Sequence, residues 1–180
     1  MEQKTLLSLA EFFALPGDGN DYELVHGELV RMPPQDFEHE FVKSRITQLL
    51  ILFLETHDFG MVFPETGAVL DEGSWRKPDV SFLRWPRLDR QARNAQIEGA
   101  PDLCVEVVSE SNTHREIADK TQHFLNSGAV SVWCVYPKTK EVHVVSHSGD
   151  RWLGPDEELS DAELLPGFRV QVRSLFERKK

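Results

Sequence analysis

Five of the six residues in Leu103-Cys104-Val105-Glu106-Val107-Val108 are apolar, between Pro101-Asp102 and the polar turn Ser109-Glu110-Ser111-Asn112. A short, continuous apolar run with β-branched residues and breakers at both ends predicts a buried central strand over 102–109. The next apolar positions, Ile117, Phe124 and Leu125, return at helical spacing. Thr113-His114-Arg115-Glu116 has the capping-box pattern and Gly128 supplies a stop, so a helix is expected over 113–127. A second apolar run, 131–136, follows at once. Strand, helix and strand together predict a right-handed crossover with the two strands parallel.

Upstream, residues 5–14 read as a short helix ended by Pro16-Gly17, and Tyr22–Met32 as a β-hairpin turning at His26-Gly27. Phe41, Val42, Ile46, Leu49, Leu50, Phe53 and Leu54 form a helical stripe over 38–57. Further strands are expected at 61–70, 78–83 and 141–146. The tail Leu164-Leu165-Pro166-Gly167-Phe168 is expected to close over the core. The order predicts an α/β protein with a central mixed sheet flanked by helices, preceded by an N-terminal helix and hairpin. The chain shows no repeat or linker-like stretch, so residues 1–180 are expected to form a single domain. At 180 residues, 40% of them hydrophobic, that domain can bury a sizeable core.

Cys104 and Cys134 both fall in apolar runs, which predicts buried free thiols rather than a disulfide or a metal pair. The first residues carry acids and lack the apolar core of a secretory signal. No stretch approaches the roughly 18 apolar residues of a membrane span. A soluble, cytoplasmic protein without membrane association is the expectation.

Net charge is −10, which argues against a protein that coats nucleic acid indiscriminately. The charge is uneven, however. Residues 75–93 hold Arg76, Lys77, Arg84, Arg87, Arg90 and Arg93 against two acids, Asp79 and Asp89, giving +4 locally. From Arg84 the arginines recur every third residue. They could line one side of a helical turn or loop, either as a solvated face or as a phosphate-binding one.

The chemistry starts from Glu106. A carboxylate in the middle of a buried strand loses its water, at a cost of several kcal/mol unless a cation or hydrogen bonds offset it. Asp79, in the strand-like run Pro78-Asp79-Val80-Ser81-Phe82-Leu83, can lie on a neighbouring strand. Two converging carboxylates repel unless a cation lies between them. Mg²⁺, held by one or two carboxylates plus water and phosphate, suits such a pair, and Mn²⁺ can substitute. Lys120 sits three residues after Ile117 and four before Phe124, on the margin of the inward stripe. From there its ammonium can reach back towards Glu106 or simply cover apolar surface.

Asp79 followed by Glu106-Val107-Val108 resembles the signature of the PD-(D/E)XK nucleases, although Val108 stands where that superfamily normally has a strand lysine. Tyr22-Glu23-Leu24-Val25-His26-Gly27-Glu28-Leu29-Val30, then His39, Lys77-Pro78-Asp79-Val80 and Pro101–Ser109 follow in order. With Asp119-Lys120, Gly128-Ala129-Val130, Val132–Val135 and Leu165–Phe168 they resemble the Uma-type restriction endonucleases over nearly the whole chain. The resemblance implies a restriction-endonuclease-like fold and divalent-metal hydrolysis of nucleic acid phosphodiesters. It implies metal ligation by Asp79, Glu106 and the Val107 carbonyl, with Lys120 in place of the missing strand lysine. Glu23 and His39 are implied as accessory catalytic residues, with Glu28 a further candidate.

Taken on their own, Glu23 and His39 also read as an ordinary strand residue and a helix-start residue. His114, His123, His143 and His147 show no ligand spacing and are expected at the surface or in packing. The leading expectation is a Mg²⁺-dependent nuclease on DNA, with the basic segment meeting the backbone and a possible homodimer enlarging the surface. Its rivals are a catalytically silent nuclease-fold binding or scaffold module, and an enzyme acting on another phosphoester.

Overall fold

A computed structural model describes residues 6–91 and 95–177. The elements in chain order begin with α1 (Leu9–Phe13), β1 (Tyr22–Val25), β2 (Glu28–Arg31), α2 (Phe37–Leu54), β3 (Gly60–Pro64), β4 (Ala68–Asp71) and β5 (Ser74–Arg76). Next come β6 (Val80–Arg84), the single turn α3 (Trp85–Leu88), β7 (Ile97–Glu98), β8 (Leu103–Val107), α4 (His114–Asn126), β9 (Ser131–Tyr136) and β10 (Glu141–Ser146). The chain ends with β11 (Gly149–Leu153), β12 (Glu158–Asp161), β13 (Leu165–Gln171) and a 3₁₀ turn, Val172–Leu175. The strands form a six-stranded sheet in the order β11-β10-β9-β8-β6-β3, a five-stranded sheet β2-β1-β5-β4-β7 and the ribbon β12-β13. The architecture is mixed α/β, with helices on both faces of the larger sheet.

Strand β8 organises that sheet. It pairs antiparallel with β6 and parallel with β9, and every one of its residues is buried. The parallel pairing follows from α4, which carries the chain back to the start of the next strand. Successive side chains of a strand face opposite sides. Val105 and Val107 enter the core with Val42, Ile46 and Leu50 of α2 and with Trp133, while Cys104 enters a second core with Ile117, Phe124 and Leu125 of α4. The same alternation puts Glu106 on the α4 side.

The two large helices start as their sequences require. Thr113 accepts the Glu116 N–H while the Glu116 carboxylate takes the Thr113 N–H, the reciprocal capping box. Ser127 and Gly128, the latter at φ +104°, end that helix. Asp36 caps α2 by accepting the His39 N–H at 2.8 Å. Helix α2 is apolar nearly all round towards its end. Val42, Ile46 and Leu50 pack inward, and Ile51 and Leu52 remain exposed.

The structure departs from the sequence expectations where one segment serves two sheets. The strand expected over 61–70 is divided into β3 and β4. Glu65 turns the chain at φ +47° and donates its N–H to the Asp79 carbonyl. Gly67 then passes the Trp75 indole so closely that a Cβ there would lie 1.9 Å from the ring. Strands β5 and β7, of three and two residues, are too short to show an alternation, and their pairing is set by tertiary contacts. The expected helix 5–14 shortens to Leu9–Phe13, capped by Ser8; Thr5 lies outside the described residues. Both cysteines are buried free thiols. Among the described residues no helix is long and apolar enough to cross a membrane.

At the opposite end of β6 and β8 from Asp79, buried Asp102 accepts the Arg84 backbone N–H at 3.0 Å. It also accepts the Arg84 guanidinium at 3.2 and 3.0 Å. Asp102→Ala leaves that backbone donor and the guanidinium without their acceptor. With Arg84 partly in solvent, the expected loss is about 2 kcal/mol of unfolding free energy, read from urea denaturation. An unchanged midpoint would show that Asp102 does not tie these strands together.

Candidate active site

Five elements deliver the polar side chains gathered at the other end of these strands. Val80 lies opposite Val105 across the β6–β8 ladder, so Asp79, one residue earlier, stands beside Glu106 and Val107. The Asp79 carboxylate accepts the Val107 N–H through Oδ2 at 2.7 Å. Lys120 comes from α4 above the same face of β8, and its Nζ lies 2.8 Å from Glu106 Oε2 and 2.9 Å from Glu23 Oε1. Glu23, from β1, is buried between the hairpin and the larger sheet. Its Oε1 also accepts the Lys77 N–H at 3.0 Å, and its Oε2 receives Arg76 Nη1 at 3.2 Å. From the first turn of α2, His39 Nε2 comes within 3.3 Å of Asp79 Oδ2. Asp79, Glu106 and Lys120, singled out from the sequence, and Glu23 and His39, implied by the resemblance, thus share one cleft of about 860 Å³, with Val107 in its wall. Glu28, on β2, is not among the described residues that line it.

Electrostatics divides these groups. Burial pushes the Glu106 carboxyl up to about 8; Lys120 opposes this, and the Asp79 and Glu23 carboxylates reinforce it. Burial alone would lower Lys120, but Glu106 and Glu23 more than offset it and hold the ammonium above its ordinary range. Three carboxyl groups, Glu23, Asp79 and Glu106, thus share the cleft with Lys120 and Arg76, and Glu106 is the one that burial makes reluctant to ionise. Glu106 Oε1 and His39 Nδ1 are buried with no hydrogen-bond partner. An orphaned carboxyl oxygen that burial keeps from ionising freely, with the Asp79 carboxylate beside it, fits a hard, oxygen-seeking divalent cation.

The structure splits the basic segment in two. Arg76 and Lys77 line the cleft, with Arg76 on Glu23 and the Lys77 ammonium on Asp21. Arg84 and Arg87 instead point to Asp102, at 3.0 and 3.9 Å, at the far end of the central strands. Arg90 donates to the Pro86 carbonyl, and Arg93 lies outside the described residues. The three-residue arginine spacing is therefore no continuous phosphate-binding row over its described part. The period is partly met by α3, but buried Asp102 draws two of the side chains inward. Sequence reading missed the part Arg76 plays in holding Glu23. It also missed a cluster beside the cleft, His26, Asp71 and His123. Their positions lie on a turn, a strand end and a helix, with no local pattern to link them.

Comparison with known proteins gives two positive findings. The family model Uma2, described as "Putative restriction endonuclease", matches residues 9–173. The fold is similar to a crystal structure from Anabaena variabilis described as a putative nuclease belonging to DUF820. That likeness has a TM-score of 0.83 at 20% identity, covering 94% of this chain and 97% of the other. No curated protein matches.

The Lys120 ammonium shared by two buried carboxylates gives a stability test. Lys120→Met leaves Glu23 and Glu106 facing each other without it, and the expected cost is about 3–5 kcal/mol in urea denaturation. Adding Glu106→Gln to Lys120→Met abolishes that repulsion and leaves only Glu23 short of a cation, so the double variant is expected to recover part of the loss. Simple additivity of the two substitutions would show that the three groups are not coupled.

Proposed function

The chain belongs to the Uma2 restriction endonuclease family, and on that premise we propose that it is a divalent-metal-dependent nuclease working at the Asp79–Glu106–Lys120 site. The observation that carries the reading is Glu106 Oε1, buried and unpartnered beside the Asp79 carboxylate. Asp79, Glu106 and the Val107 carbonyl are the oxygen donors that would hold Mg²⁺ or Mn²⁺. When bound, such an ion polarises a phosphoryl oxygen and neutralises developing charge.

The chain's own groups do the rest. Lys120 orients the attacking water and balances negative charge that builds on the phosphate. Glu23, itself held by Arg76 and the Lys77 N–H, keeps the ammonium over Glu106. His39 steadies Asp79. Arg76 and Lys77, at the cleft, are the cations best placed to meet a nucleic acid backbone, and that contact is expected to weaken with salt. DNA is the proposed substrate, in the cytoplasm. One 180-residue domain offers limited surface to a duplex, and a homodimer would enlarge it. The net charge of −10 favours a second reading, a catalytically silent binding or scaffold module on the same fold.

The two readings part on metal and turnover. Purified protein with Mg²⁺ or Mn²⁺ is expected to cleave plasmid, single-stranded DNA or RNA, and EDTA to stop it. Asp79→Asn and Glu106→Gln are each expected to lower the rate by at least about 10²-fold while circular dichroism stays native. Undiminished cleavage by Glu106→Gln would overturn the site. Absence of both cleavage and Mg²⁺ or Mn²⁺ binding by calorimetry would favour the silent module.

A further inference from the structure

Beside the carboxylate site, two imidazoles and a carboxylate from three elements converge. His26 stands at the turn of the β1–β2 hairpin, Asp71 at the end of β4 and His123 on α4. One ligand-type atom from each lies within 4.8 Å of the others. Asp71 Oδ2 is 2.9 Å from His123 Nε2 and 3.8 Å from His26 Nδ1. Ligand atoms of a tetrahedral Zn²⁺-type centre, about 2.0–2.1 Å from the ion, stand about 3.3 Å apart, so the two separations bracket the required value.

The scaffold around these groups is fixed from the backbone outward. His26 adopts φ +50°, a conformation rare for a residue with a Cβ. Its N–H is tied to the hydroxyl of buried Ser74 at 3.0 Å, and the neighbouring Gly27 N–H to the Gly73 carbonyl at 2.7 Å. Asp71 spends its other oxygen on the Gly73 N–H at 2.9 Å, which leaves Oδ2 towards the histidines. The two imidazole rings are 4.8 Å apart between centres and inclined by 19°. That spacing is close to the roughly 5 Å between two imidazoles on one tetrahedral ion, and only the exposed His26 ring has to turn for its Nδ1 to converge.

We propose that His26, Asp71 and His123 form a second cation site, distinct from the carboxylate site, that takes a borderline transition ion of the Zn²⁺ class. The donor set decides the class: two nitrogens and one oxygen suit Zn²⁺, Co²⁺ or Ni²⁺, whereas Mg²⁺ prefers oxygens throughout. Three protein ligands leave at least one position for water or an anionic oxygen. His26 and His123 both line the cleft, so that position lies on the side where substrate would enter. Without an ion, Arg76 Nε donates to His123 Nδ1 at 3.2 Å, so Nε2 carries the ring proton and donates to Asp71. Ion binding at Nε2 moves that proton to Nδ1 and turns Arg76 away from His123, leaving it to Glu23. The second site thereby connects to the residue that holds Lys120.

The test needs no nuclease activity and so stands apart from the proposed function. The full chain, stripped with chelator, is titrated with Co²⁺ and followed by the visible absorption of low-coordinate, nitrogen-ligated Co²⁺. The expected result is a single saturable band, bleached by Zn²⁺ and indifferent to excess Mg²⁺, with equal affinity in Glu106→Gln. His26→Asn, which tolerates the same backbone conformation, and Asp71→Asn are each expected to weaken binding by about tenfold or more. No band, a band with full affinity in His26→Asn, or a band lost in Glu106→Gln would each overturn the second site.

Discussion

One ammonium group joins the halves of this molecule. Lys120 on α4 is held at 2.8 Å by Glu106 of the larger sheet and at 2.9 Å by Glu23 of the smaller one. Neither carboxylate has bulk water to fall back on, since both are buried. Each would cost several kcal/mol there if left without a cation. The position of the β1–β2 hairpin over the end of β8 therefore depends on where α4 sets its lysine. Arg76 and the Lys77 N–H reinforce the same point by occupying the remaining acceptor capacity of Glu23.

Under the proposed function, that arrangement lets Lys120 supply the cation at a site where Val108 stands in place of a strand lysine. Residue 108 follows Glu106 by two and so belongs to the same face of the sheet. Here it packs at the edge of the core beneath α4, next to Tyr136. The cation reaches this face from the helix that covers it instead of from the strand. From the helix, the Lys120 ammonium is anchored by Glu23 as well as by Glu106.

Most of the large elements were legible because each was signalled twice, by an apolar period and by a terminator. The strands 131–136 and 141–146 and the capped helix α4 are cases of this kind. Glu106 was legible for a different reason: it broke an otherwise apolar stretch, and a buried charge needs a partner. Asp79 and Lys120 were singled out as partners it could reach, and Glu23 through the family resemblance. What was not legible lies in tertiary geometry. The stretch 61–70, expected as one strand, gave two because Glu65 turns the chain and Gly67 passes close to Trp75. Likewise, an arginine period that looked like one face became two sets of ion pairs, because Asp102 is buried within reach of Arg84 and Arg87. Nothing in the local sequence around His26, Asp71 or His123 relates one to another.

Under the proposed function, the burial of Glu106 sets function in opposition to stability. Burying Glu106 beside two further carboxyl groups, Asp79 and Glu23, raises the free energy of its ionised form, and its carboxyl is driven up to about 8. An interior built for stability alone would put an apolar side chain at residue 106, between Cys104 and Val108, and would require no Lys120. A polar group held in an unfavourable setting by the surrounding fold is preorganised: its unmet interaction is available to whatever cation enters. Glu106 Oε1, with no partner of its own, is the atom at which that unmet interaction is concentrated. The same reasoning separates this site from Asp102, which is just as buried but has both oxygens occupied by Arg84 and so has nothing left to offer a ligand.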